Sequence, residues 1–128
     1  MRETILLFHF TDKDKRNRLT RALLPLRMKI KEFTIEDYGK PVGYLAGMKE
    51  LEPEGTLVEG EELPGELLVM AGLGNERIDQ VLRAIRKSGL SVPYKAILTA
   101  SNQNWNVWKL YEEIKTEHER MNNSSRHV

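Results

Sequence analysis

The chain contains no cysteine, which excludes disulfides, thiolate nucleophiles and thiolate metal sites. It has no apolar run of membrane-spanning length. Arg2 and Glu3 lead straight into a strand-like run, so a basic-then-apolar leader pattern is missing too. Histidine is scarce, with 3 in 128 residues, and none has a second ligand at metal spacing. Neither sign of charge dominates: 20 Lys and Arg stand against 19 Asp and Glu, so the whole molecule is no polyanion binder. These absences point to a cytoplasmic protein away from the membrane, with no metal and no cofactor.

A chain of 128 residues suits one domain with a core of its own. We expect that α/β domain to span residues 1–119, followed by a disordered tail over 120–128. Within it, residues 49–65 read as an acidic connection punctuated by glycine and proline, long enough to be either mobile or functional. The charge is unevenly placed. Lys13, Lys15, Arg16, Arg18, Arg21, Arg27 and Lys29 crowd the first quarter, and Glu52, Glu54, Glu59, Glu61 and Glu62 crowd the connection. A basic first helix raises nucleic acid as a partner. No aromatics are interleaved with those cations to stack bases, which weighs against it.

Thr4 to Phe10, TILLFHF, is apolar nearly throughout and reads as a central strand. His9 sits inside it as an ordinary strand histidine. Thr11 with Asp14 resembles a capping box for the first helix, whose apolar face is Leu19, Ala22, Leu23 and Leu26. Pro25 ends that helix. Met28 to Ile35 alternates, as an edge strand does. Pro41 can open a short helix. Glu66 to Ala71 is the next strand. A Gly72, Leu73, Gly74, Asn75 turn then leads to a helix with Ile78, Val81, Leu82 and Ile85 on one face, ended by Gly89. That turn has the outline of a phosphate loop. Arg77 stands where the third glycine would be, and the loop's lysine and hydroxyl are absent.

The chain is organised around Pro93 to Glu119. A strand at Tyr94 to Thr99 ends in a turn crowded with Thr99, Ser101, Asn102, Gln103 and Asn104. An amphipathic helix follows, capped by Asn104 or Asn106, with Val107, Leu110, Tyr111, Ile114 and His118 on one face. Trp105 is expected to lie largely buried under the turn. Open α/β sheets bind ligands beyond the carboxyl ends of their strands. The expected site is therefore Thr99, Ser101, Asn102 and Asn104, with Gly72, Gly74 and Asn75 beside them. The competing view is that Asn102 only ties its own turn.

The two halves of the chain each read strand, helix, strand. Two such βαβ units with right-handed crossovers give a four-stranded sheet in order 2-1-3-4, parallel, with helices on both faces and a last helix added. The alternative is a ferredoxin-like α+β sandwich.

The stretch PYKAILTASNQNW with LYEEIKTEH, together with DYGKPVGYLAG, EGEEL and LLVMAGL, resembles a family of uncharacterised bacterial proteins, domain of unknown function 3783. The family pattern falls on Leu98, Thr99, Asn102, Trp105, Leu110, Glu113, Glu117 and His118. This chain has Asn106 and Lys109 where the family places threonine and glutamate. The resemblance implies a small intracellular bacterial protein and carries no activity.

Three functions compete. One is a non-catalytic binding or interaction module, with a small-molecule ligand at the amide-rich turn or a homodimer through the edge strand. The second is a small-molecule enzyme drawing on Thr99, Asn102, Asn104, Glu113 and His118. His118 lies about 15 Å along the helix from that turn, and no nucleophile elbow or paired-carboxylate signature is present, so the reading leans against catalysis. The third is nucleic-acid binding.

Overall fold

The first strand, β1, is Thr4–Phe8, and all five residues are buried. It stops there because His9 turns into the left-handed region, at φ 63°. The chain then forms α1 (Lys13–Leu23), β2 (Lys29–Phe33), a short helix α2 (Val42–Leu45), β3 (Leu67–Ala71), α3 (Asn75–Ser88), β4 (Lys95–Ile97) and α4 (Val107–Arg126). The computed structural model describes residues 1–55 and 59–126, with side chains as far as 121. Leu57 and Val58 of the acidic connection lie outside the described residues, as do 127 and 128.

The sheet order is β2-β1-β3-β4, as the two-unit reading predicts. β1 pairs parallel with β2 and β3 parallel with β4. The central pair is antiparallel, with Leu6 opposite Val69. The sheet is therefore mixed, and the wholly parallel, doubly wound reading is wrong. It is not ferredoxin-like either, since each βαβ unit keeps its two strands side by side and admits no strand from the other unit. The segment after β2 explains the reversal. It crosses one face of the sheet, reaches Lys29 through Gly47 and Met48, and returns to β1 at Glu62. β3 thus starts at the end of the sheet where β2 finished.

Two right-handed units related by a two-fold axis normal to the sheet put their helices on the same face. Accordingly Ile5, Leu7, Leu68 and Met70 pack with Leu19 and Leu23 of α1 and with Val81 and Ile85 of α3. Alternate strand residues, Leu6, Phe8, Leu67 and Val69, turn to the other face and meet Tyr38, Val42, Val107, Leu110 and Tyr111. Both faces are covered, so both central strands are apolar throughout.

The helix ends follow local chemistry. Asp12, not Thr11, caps α1, its carboxylate accepting from the Lys15 amide at 3.1 Å. Asn106 caps α4 through the Lys109 amide. Gly89 ends α3 at φ 78°. The backbone of α4 continues to Arg126 instead of ending at 119 as expected. Glu119, Arg120 and Met121 are good helix formers, and no glycine or proline interrupts them.

Candidate functional site

The expected turn forms where it should, beyond the carboxyl end of β4. Asn102 is buried, and both ends of its amide serve the turn itself. Oδ1 accepts from the Thr99 amide at 2.8 Å and Nδ2 donates to the Ile97 carbonyl at 3.0 Å. Thr99, Ser101 and Asn102 line a cleft of about 400 Å³ together with Trp105, Glu113 and Glu117. Asn104 is exposed and does not line it. Gly72, Gly74 and Asn75 lie at the same end of the sheet but outside this cleft. Gly72 (φ 77°) lies against the Met1–Arg2 backbone, and Gly74 precedes α3. The two turns do not share this cleft.

Trp105 is only partly buried, and its backbone does the anchoring. Its carbonyl accepts from Val42 at 2.8 Å and its amide donates to Asn102. Trp108 holds the acidic connection instead: its indole donates to the Glu61 carbonyl at 2.6 Å and leaves no room for a side chain at Gly60. His118 packs edge-on against Tyr94, with ring centres 5.2 Å apart, a packing contact. On α1, Lys15 and Arg16 are paired with Glu66 and Glu32, and Arg18 donates to the Ser88 carbonyl. Replacing Asn102 by alanine removes two bonds and leaves the Thr99 amide and the Ile97 carbonyl, both partly buried, without that partner. Stability should fall by about 1–3 kcal/mol in a urea titration. A loss below a few tenths would mean the turn holds without it.

A different cluster sits at the opposite end of the sheet, beyond the carboxyl ends of β1 and β2. Leu7, His9, Phe10, Arg16, Phe33, Ile35, Tyr38 and Glu62 enclose a cavity of about 340 Å³. His9 Nδ1 lies 3.3 Å from a Glu62 carboxylate oxygen. The Tyr38 side chain is fully buried. Neither that nitrogen nor the Tyr38 hydroxyl closes a well-directed hydrogen bond. Buried polar groups left in this way are rare and ask for an explanation. The backbone adds a second anomaly. Arg27 also has positive φ, but it ends a helical turn, where that conformation is ordinary. His9 has no such reason.

Electrostatics bind the three groups together. Burial, and then the facing Glu62 carboxylate, push the Tyr38 phenol far above its usual range, so it stays neutral. Burial opposes an ionised Glu62, but the Tyr38 hydroxyl, the Leu63 amide and His9 outweigh it and hold its pKa below the usual value. A carboxyl shifted downward by folding stabilises the fold above its unfolded pKa and loses that contribution as pH falls through the folded one.

Residues 66–121 match the model of the family described as Domain of unknown function (DUF3783). Over this segment the chain is similar to the DUF3783 family. No curated protein and no solved structure matches the chain. The DUF3783 segment runs from the start of β3 into α4 and holds the Asn102 turn. His9, Tyr38 and Glu62 all lie before it. Among the described residues no three His, Asp or Glu side chains converge as metal ligands, and no helix is long and apolar enough to cross a membrane.

Sequence reading missed this cluster because its members come from three unrelated segments: a strand end, an irregular stretch and the acidic connection. The one available signal was the length of that connection.

Proposed function

We propose that this protein is a binding module for a small polar ligand, held in the cavity formed by His9, Tyr38 and Glu62. One observation carries the reading. The buried His9 Nδ1 and Tyr38 hydroxyl both face Glu62 without a well-directed bond, and His9 has a strained backbone, at the carboxyl ends of two parallel strands. Leu7, Phe10, Phe33 and Ile35 supply apolar walls, and Glu62, Arg16 and Thr34 supply polar groups at the mouth, the usual mixture of a ligand pocket. The Asn102 cleft supports the reading less, because its amide is already used. The absence of cysteine supports a reducing cytoplasm as its setting. We do not extend the proposal to pairing along β2, since Lys29, Lys31 and Glu32 charge that edge.

A second reading has its own support. The contact between Glu62 and Nδ1 can orient the imidazole for proton transfer by its other nitrogen. Amide chemical-shift mapping with a set of small polar metabolites tests the site. Hits should shift residues 7–11, 33–38 and 62. Hits that shift Thr99 to Asn104 instead would place the ligand site at the other end of the sheet.

A further inference from the structure

A second cavity, of about 620 Å³, opens at the amino ends of β1 and β2. It is one five-residue strand away from the His9 cavity, about 16 Å by strand rise. Arg2, Lys29, Lys31 and Lys49 line it, with Glu50 as the sole carboxylate. Lys29 and Lys31 are two apart on β2, so both project from the same side of the strand. Lys31 reaches across and donates to the Leu45 carbonyl at 3.2 Å. Among the described residues, none of the four cations is within ion-pair distance of a carboxylate. Lys15, Arg16, Lys40 and Arg77, by contrast, each hold an acid.

We infer that this cavity binds a small phosphorylated molecule, with Arg2, Lys29 and Lys49 meeting its phosphate groups. Lys31 is held by Leu45 and sets the floor. Several unmatched cations around one concave space favour a compact, multiply charged anion, and lysine binds phosphate as a point charge. Burial, followed by repulsion from Lys29, lowers the pKa of Lys31, in keeping with positive charge that nothing nearby neutralises. The volume suits a small molecule. No aromatic ring lines the cavity to stack bases, so a nucleic-acid strand fits it less well. This inference is independent of the His9 cavity.

Titration calorimetry with pyrophosphate tests it on the whole chain. Binding is expected with a Kd below about 1 mM at low salt. Lys29→Gln and Lys49→Gln should each weaken it by about tenfold, with unfolding midpoints unchanged, because both side chains are exposed. Lys87→Gln, at the far end of α3, should leave it unchanged. Absence of pyrophosphate binding would overturn the inference. So would equal weakening by all three substitutions, which would show only diffuse charge. A single-stranded oligonucleotide that binds more tightly than pyrophosphate through the same two lysines would also overturn it, in favour of nucleic acid.

Discussion

Tyr38→Ala should cost about 3–5 kcal/mol. Tyr38 is fully buried between the sheet and α4. Its ring meets Phe8 and Trp108 edge-on, with centres 6.0 and 5.9 Å apart. Its carbonyl accepts from the Val107 amide at 2.9 Å, fixing the start of α4. Alanine would leave a ring-sized cavity where three segments meet. Tyr38→Phe separates packing from polarity. The hydroxyl faces Glu62 without closing a well-directed bond, so its removal should change stability by less than about 1 kcal/mol. Urea unfolding of both variants measures this. A loss below about 1 kcal/mol for alanine, or a loss above it for phenylalanine, contradicts the packing described.

Gly43→Ala should cost about 1–3 kcal/mol. A β-carbon there would sit 2.7 Å from Leu51 Cδ1 and 2.9 Å from the Gln103 carbonyl oxygen. The leucine can rotate away. The carbonyl cannot, because it accepts from the Gly43 amide at 2.9 Å. That bond and the neighbouring Val42 to Trp105 bond tie α2 to the turn before α4. Alanine should therefore pry the two apart. The usual gain from a stiffer unfolded chain, about 0.4–1 kcal/mol, offsets only part of the loss. A stability equal to the parent's in the same titration would show that α2 can move without consequence.

Strand order was legible because apolar runs at Thr4–Phe8 and Leu67–Ala71 mark the two central strands and Lys29–Phe33 alternates as an edge does. Strand direction was not. A strand covered on both faces is apolar throughout whether its neighbour runs with it or against it, and the segment that decides the direction has no periodicity. Helix faces and the Gly89 cap follow short-range rules and were readable, and the α4 cap was narrowed to Asn104 or Asn106, of which Asn106 serves. Thr11 and Asp12 are adjacent and equally suited as caps, and only the register of α1 separates them. Trp105 and Trp108 are one turn apart, and which of them takes the loop depends on where Glu61 returns. His9 gave no warning either, since a backbone turned to positive φ after an apolar run leaves no mark on residue type.

If His9 is kept strained and poorly satisfied for binding, relieving the strain should stabilise the fold. Urea unfolding of His9→Gly tests it most directly. Glycine adopts positive φ without a steric cost, and the substitution removes a buried nitrogen that lacks a well-directed bond, together with its 3.3 Å contact to Glu62. Against this stand the lost ring packing and the looser unfolded chain. Relief of strain is expected to win, with a net gain of about 1 kcal/mol. A fall in stability of about 1 kcal/mol or more would show that His9 is there to hold the fold and would contradict the account.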